Sequence, residues 1–422
     1  MSSRAQAYGI ALVFLLVRLA LLVVREPFFD ELFTVWLARK PLTAILPALL
    51  LDSGPPLYYF IARIPDVFAL RVLSLLFATA TLALLLTRQS LGNARFLAAA
   101  LLAVYPPAAL FAVDARAYAL CGLFLTIGII GVHEKRPWVA AIAFLLAAYT
   151  HWYGALFLPL ILFVRRIPFF VACVLFLPGL WLASQQPPEA TEWLSGQNPF
   201  AALNAFAFAG RYAEALFLPA PWIIVIVSAI ALVIAASRRF TFAPFVLLPL
   251  FLAIAFALGG RTVYFPMRFE SVIAVPLVLW LATSLEAWTP LVRRVLLATL
   301  IACGAITLAI GILDHQRRPV DAYAEAAGVL RENARAGERI VATGFLYLEA
   351  VHELGAARVH AWPAEQGRHP GWRVMRAPTD PLPPGPFLWI GEREAPELVT
   401  LRRTRRVAVL FANDRALILR VQ

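Results

Sequence analysis

The stretch Phe28-Phe29-Asp30-Glu31-Leu32-Phe33-Thr34-Val35-Trp36 follows directly on the first long apolar run of the chain, residues 7–24. Two adjacent carboxylates at the mouth of a membrane helix are costly unless they face water or a bound ligand. Some twenty residues on, Asp52-Ser53-Gly54-Pro55-Pro56-Leu57-Tyr58-Tyr59 returns the chain to the membrane with polar and aromatic groups at headgroup depth. The rest of the sequence reads as a scaffold that brings further charged groups to the side of Asp30 and Glu31.

Composition fixes the solvent. Of 422 residues, 61% are hydrophobic and 15% charged, and the mean hydropathy is +0.77. These values exclude an ordinary soluble protein and indicate a polytopic membrane protein. The net charge of +12 is almost all arginine, since Lys40 and Lys135 are the only lysines. No basic patch lies in a soluble module with base-stacking aromatics, so nucleic acid is not an expected partner. Cys121, Cys173 and Cys303 all lie inside apolar runs, where a thiol is a small core residue rather than part of a disulfide or metal set.

Spans of suitable length and polarity lie at 7–24, 67–87, 95–113, 117–132, 137–151, 153–164, 167–184, 221–237, 242–258, 270–286 and 294–313. The first resembles a signal peptide, but Arg18 interrupts it and no small-residue cleavage site follows, which predicts an uncleaved span. Every second connection is rich in arginine or lysine: Arg4, Arg88/Arg95, Lys135/Arg136, Arg165/Arg166, Arg238/Arg239 and Arg293/Arg294. The positive-inside rule assigns these to the cytoplasm, with the N-terminus. The alternate connections then face outward. They hold Asp30/Glu31, Asp114-Ala115-Arg116-Ala117-Tyr118, His151-Trp152-Tyr153, the loop 185–220, the run from Gly259 to Arg268, and everything beyond Asp314.

The expected fold is thus an all-α polytopic membrane domain of about 11 transmembrane helices over residues 1–313, with interfacial helices in the first outer loop at 31–39 and 42–51. Segment 199–218 is a candidate for another interfacial or re-entrant helix. Residues 314–422 change in composition and predict a small extracytoplasmic α/β domain. Its expected elements are helices at 321–335 and 346–354, and strands at 339–343, 357–360, 386–390 and twice within 405–421. The tail carries no nucleotide-binding glycine loop.

Each polar group on the outer face has a plain alternative. Asp30 and Glu31 could serve the N-terminus of the interfacial helix, which accounts for one acid better than for two; an exposed carboxylate there also suits a general base that deprotonates a hydroxyl. Asp114 and Arg116 could form a local ion pair, or supply a second acid and a guanidinium placed for phosphate. Arg261 and Arg268 lie where the topology rule gives no reason for arginine, and either touch outer-leaflet headgroups or bind phosphate. Trp152 and Tyr153 fit the aromatic belt. No second histidine accompanies His151, which favours hydrogen bonding over metal ligation. A divalent cation bridged by Asp30 and Asp114 stays open, and no other cofactor is expected.

Taken in order, Asp30-Glu31, Pro55-Pro56-Leu57-Tyr58-Tyr59, Asp114-x-Arg116-x-Tyr118, His151-Trp152-Tyr153 and Tyr264-x-x-x-Arg268 resemble the C-type (GT-C) membrane glycosyltransferases. The resemblance is to the bacterial relatives of protein O-mannosyltransferases and of lipid A aminoarabinose transferases, and it covers residues 1–313. It implies an enzyme of the bacterial cytoplasmic membrane that moves a monosaccharide from a polyprenyl-phosphate donor to an acceptor hydroxyl on the outer face, with inversion. On this resemblance Asp30 is the base with Glu31 beside it, and Asp114 helps to form the site. Arg116, Arg261 and Arg268 hold the donor phosphate, and Tyr58, Tyr59, Tyr118, His151, Tyr153 and Tyr264 contact substrate. The sequence departs from its relatives at Gly54, where they commonly carry a histidine. The acceptor class (protein, lipid or glycan) is left open. The rival from another class is a transporter or flippase of a lipid-linked sugar, against which stand the absence of an internal repeat and the gathering of polar groups at one surface.

Overall fold

The computed structural model describes residues 3–187, 190, 222–260, 263–265, 267–317, 322–363 and 381–422. Among the described residues of its first part, every regular element is helical. Long helices are α1 (Ser3–Val24), α5 (Val67–Thr87), α10 (Arg166–Gln185), α13 (Arg268–Leu285) and α14 (Pro290–Arg317). These five are the described helices long and apolar enough to cross a membrane, α14 over Pro290–Leu313. Shorter apolar helices are α6 (Ala94–Val104), α8 (Tyr118–His133), α9 (Pro137–Thr150), α11 (Trp222–Ala236) and α12 (Pro244–Leu258), together with a 3₁₀ segment, Trp152–Phe163. All eleven expected spans therefore coincide with helical segments.

Two of them are not plain α-helices. The expected span at 95–113 breaks at Tyr105-Pro106-Pro107 into α6 and α7 (Pro106–Phe111), because two successive prolines supply no N–H to the turn before them. The short span after His151 is a 12-residue 3₁₀ helix containing Pro159. At about 2.0 Å rise per residue it reaches roughly 24 Å, where an α-helix of the same length reaches about 18 Å. Close approach of α9 to its neighbours rests on small residues. A Cβ on Gly128 would overlap the Phe144 ring, and one on Gly154 would overlap the Ala147 carbonyl.

The connection between α1 and α5 folds as α2 (Phe29–Ala38), a 3₁₀ turn (Leu42–Ala44), α3 (Ile45–Leu49) and α4 (Leu57–Ile61). A helix lying flat in the interface would bury one face. In α2, Glu31 through Ala38 are all buried, because the C-terminal domain covers the side turned away from the bundle. Phe345 packs edge-on against Phe29 at 4.5 Å, and Leu348 joins the α2–α4 apolar cluster. The loop after α3 is tied down by Trp152, whose indole N–H donates to the Ser53 carbonyl at 2.6 Å, and by Gln186, whose amide donates to Leu49 and Gly54 carbonyls at 3.0 and 2.9 Å.

The C-terminal part is α/β. Helices α15 (Ala322–Asn333), α16 (Leu346–Leu354) and α17 (Pro396–Thr404) pack on a five-stranded sheet. Its strands are β1 (Ile340–Ala342), β2 (Val359–Ala361), β3 (Phe387–Glu392), β4 (Val407–Ala412) and β5 (Ala416–Val421), in the order β2-β1-β3-β5-β4. The first three run parallel; β5 pairs antiparallel with both β3 and β4.

The connections sort to two ends of the bundle. At one, Ser90 donates to Glu134 at 2.9 Å, His133 approaches the Ser90 carbonyl at 3.2 Å, and Arg238 lies over Trp288. At the other, the α1–α5 connection, the 112–117 turn, His151, Arg268 and the sheet domain converge.

Candidate functional site

Asp30 stands in the first turn of α2, where the helix dipole favours an acid although Phe28 supplies no side-chain cap. Its side chain is 25% exposed. Arg268, the first residue of α13, donates to Asp30 Oδ2 at 2.7 Å, and a second guanidinium, that of Arg116, lies 4.0 Å from the same oxygen. Burial pushes the Asp30 carboxyl upward, but Arg268 and Arg116 together outweigh it and hold the group below the ordinary carboxylate value. Asp30 is thus an ionised carboxylate, open to solvent and flanked by two cations.

Glu31 occupies a different environment one residue away. It is fully buried, and Arg71 on α5 grips it with Nε–H to Oε1 at 2.8 Å and Nη2–H to Oε2 at 2.5 Å. The Ala115 backbone N–H donates to the same Oε1 at 2.7 Å, and Arg71 also donates to the carbonyls of Arg25 and Glu26 at 2.6 and 2.9 Å. A carboxylate so enclosed ties three segments together and has no free face toward an acceptor.

The turn between α7 and α8 links these groups. Asp114 is fully buried and pairs with Arg25, which also donates to the Leu110 carbonyl at 3.1 Å. Its second oxygen, Oδ2, has no partner among the described residues. Burial raises its carboxyl to about 6, against the pull of Arg25. The Asp114 and Arg116 side chains do not pair with each other. Arg116 turns instead to the Tyr59 hydroxyl at 2.9 Å and to the Asp30 carbonyl at 3.2 Å. Three consecutive residues thus touch Arg25, Glu31 and Asp30 in turn.

Of the expected residues, Tyr118, His151, Tyr153 and Tyr264 form one connected row with Phe111 and Phe269 beside this cluster. Phe111–Tyr118, Tyr118–His151, His151–Tyr153, Tyr153–Phe269 and Phe269–Tyr264 have ring centroids 4.6, 5.0, 4.6, 5.4 and 5.9 Å apart. His151 Nδ1 accepts from the Tyr153 backbone N–H at 3.2 Å, which assigns the ring proton to Nε2. The Tyr264 hydroxyl donates to Glu270 at 2.8 Å. Tyr58 is buried and lies edge-on to Tyr59 at 5.8 Å. Arg261 and most of the loop 185–220 lie outside the described residues.

The structure adds Arg25, Arg71 and Glu270 to the site, none of them singled out by motif. The available signal was physical: an arginine inside the 67–87 run is expensive in a membrane unless something nearby is negative. No group of three or more His, Cys, Asp or Glu side chains placed to hold a metal ion occurs among the described residues. Asp30 and Asp114 each face a guanidinium group, Asp30 through Oδ2 and Asp114 through Oδ1.

No protein-family model matches the sequence, and no curated protein matches it either. Solved structures do. ArnT from Cupriavidus metallidurans bound to undecaprenyl phosphate superposes with a TM-score of 0.58 at 12% identity, covering 98% of this chain and 97% of that one. The apo form of the same protein gives 0.54 at 12% identity, with 98% of each chain covered. A more distant structure, the Archaeoglobus fulgidus oligosaccharyltransferase tethered with an acceptor peptide, gives 0.41 over 83% of this chain and 63% of its own. Across nearly its whole length, this chain has the fold of ArnT.

Proposed function

We propose that the protein transfers a monosaccharide from a polyprenyl-phosphate donor to an acceptor hydroxyl at the outer face of the cytoplasmic membrane, with Asp30 as general base. The observation that carries this reading is the single part-exposed carboxylate between Arg268 and Arg116 at the end of an apolar bundle. A lipid-phosphate sugar has its anion at headgroup depth and its tail in the bilayer. Two guanidinium groups at that depth, with fork geometry suited to phosphate, are what such a donor requires. That ArnT, of the same fold, binds undecaprenyl phosphate is consistent with it.

In the proposed reaction the acceptor oxygen attacks the anomeric carbon from the face opposite the phosphate. The bond from C1 to the phosphate oxygen breaks, polyprenyl phosphate leaves with the bonding pair, and the acceptor proton passes to Asp30. The leaving phosphate is stabilised by cations rather than by protonation, and Arg268 and Arg116 supply these in place. The same pair also times the base. Without a donor, both arginines hold the Asp30 carboxylate weakly basic. A phosphate drawn to them diverts their N–H groups and adds negative charge nearby, and both changes raise the basicity of Asp30 when substrate is present. Glu31 and Asp114 act here as positioning groups, Glu31 through Arg71 and Ala115, Asp114 through Arg25. The Tyr118–His151–Tyr153 row offers the sugar ring aromatic faces and one imidazole N–H.

The test is transfer in proteoliposomes from a panel of radiolabelled polyprenyl-phosphate sugars, comparing wild type with Asp30→Asn. Loss of transfer with donor binding retained supports Asp30 as the base. Movement of donor across the bilayer without transfer, indifferent to Asp30→Asn, refutes the enzyme.

A further inference from the structure

Arg18 lies inside the first span and is fully buried, yet no carboxylate pairs with it among the described residues. An unpaired guanidinium inside a membrane domain needs a strong reason to be there. Its hydrogen bonds supply one. Nη2–H donates to the Leu102 carbonyl at 3.0 Å, and Nη1–H donates to the Ala103 carbonyl at 2.8 Å and to its own helix at Phe14 at 3.3 Å. In a continuous helix those two carbonyls would accept from the N–H groups four residues on. Those residues are Pro106 and Pro107, which have none. Arg18 therefore replaces, from another helix, the two donors that the prolines remove.

Arg18 has a companion. Arg25 continues the last turn of α1 through its N–H bond to Leu21 at 3.1 Å. Seven residues from Arg18, it stands two turns on, about 10.5 Å along the same face. It grips α7 at the Leu110 carbonyl and at Asp114. One helix thus holds the kinked α6–α7 segment at two points, Arg18 at the break and Arg25 at the far end. Arg18 also lines a cavity together with Ser271 and two members of the aromatic row, Phe111 and Tyr118.

We propose that Arg18 is a positioning residue for the site: by capping Leu102 and Ala103 it sets the α6–α7 break, and so the direction in which α7 delivers Asp114, Ala115 and Arg116 to Arg25, Glu31 and Asp30. The consequence for turnover rests on Asp30 being the base; the geometric claim does not.

The experiment compares Arg18→Leu with the triple variant Arg18→Leu/Pro106→Ala/Pro107→Ala in the full chain in detergent. Three quantities are read: melting temperature, labelling of Glu31 by dicyclohexylcarbodiimide followed by mass spectrometry, and sugar transfer. Arg18→Leu is expected to lower the melting temperature, to speed labelling of the normally enclosed Glu31, and to lower turnover by ~100-fold through misplacement of about an ångström. The triple variant regains internal N–H donors and so its melting temperature. Its straightened α6–α7 still misdirects the turn, so Glu31 labelling stays fast and turnover low. Recovery of all three in the triple variant reduces Arg18 to a helix cap and overturns the proposal, as does wild-type Glu31 labelling in Arg18→Leu. Should Arg18→Leu fail to fold, Arg18→Lys, which keeps the charge but cannot fork across two carbonyls, is expected to give intermediate labelling; wild-type labelling there again overturns the proposal. If wild type itself transfers no sugar, the reading of function has failed, and labelling alone still decides the geometry.

Discussion

Replacing Glu31 by glutamine separates a positioning acid from a reacting one. The Glu31 and Arg71 side chains are 0% and 5% exposed, and the pair is bidentate. Glutamine keeps the shape and the bond from the Ala115 N–H, but it turns an N–H₂ toward Arg71 and leaves that guanidinium buried without a counter-charge. Removing one partner of a buried ion pair costs about 3–5 kcal/mol, a factor of roughly a hundred to a few thousand in the unfolding equilibrium. Removing both, as Glu31→Leu/Arg71→Leu, cancels the charge penalty. What remains is the lost bonds to Ala115 N–H and to the Arg25 and Glu26 carbonyls, about 1 kcal/mol each. The double variant should therefore be less damaging than the summed singles by at least ~3 kcal/mol. The measurement is denaturant unfolding in detergent followed by tryptophan fluorescence, with transfer assayed in parallel. Transfer by Glu31→Gln should fall about 10–100-fold, as for a group supporting the site from outside it. Wild-type stability combined with abolished transfer would refute the positioning role and make Glu31 a reacting acid.

Three further outcomes are expected. Arg268→Lys keeps the charge but loses the fork, and turnover should drop about 100-fold while donor binding, read by titrating undecaprenyl phosphate, weakens less. Asp114 has its carboxyl raised from the ordinary 3.8 to about 6, so the folded state binds its proton more tightly than the unfolded one. Its contribution to stability is fully present below 3.8 and is lost as pH rises through about 6. Melting temperatures of wild type relative to Asp114→Asn should accordingly shift in favour of wild type as pH falls across that window, and a flat difference would contradict the assignment. Phe345→Ala removes the edge-on contact with Phe29. An aromatic pair of this kind contributes about 0.5–1.5 kcal/mol beyond its area, so limited proteolysis should release the C-terminal domain up to roughly tenfold faster.

The spans were legible because each is a run of apolar residues between charged or proline-rich connections, and the alternation of arginine-rich with acid- and aromatic-rich connections sorted them to two ends. The same logic gathered Asp30, Asp114, Arg116, His151 and Arg268 at one end. It did not say who pairs with whom. Asp114 and Arg116 lie close enough in sequence to suggest an ion pair, but the bend between α7 and α8 points them apart, toward Arg25 and Tyr59. The sequence ranked Asp30 as the base with Glu31 beside it, but adjacent residues share their local signals and it did not give Glu31 its partner. On a helix they face about 100° apart, one to solvent and one to Arg71. The 3₁₀ form of Trp152–Phe163 leaves no trace in a uniformly apolar run. Helix α17 was missed because Glu397, Arg402 and Arg403 dilute its periodicity, although Leu398 and Leu401 keep it seated on the sheet.

The packing of α16 on α2 has a consequence for how the protein is made. Helix α2 leaves the ribosome early, whereas Phe345 and Leu348, which cover it, come from the last quarter of the chain. At about 5–20 residues per second, tens of seconds separate the synthesis of the two. Throughout that interval helix α2 stands with this flank bare. The site becomes whole only when the final segment has been made and folded back, so truncated or stalled chains stay open at this end.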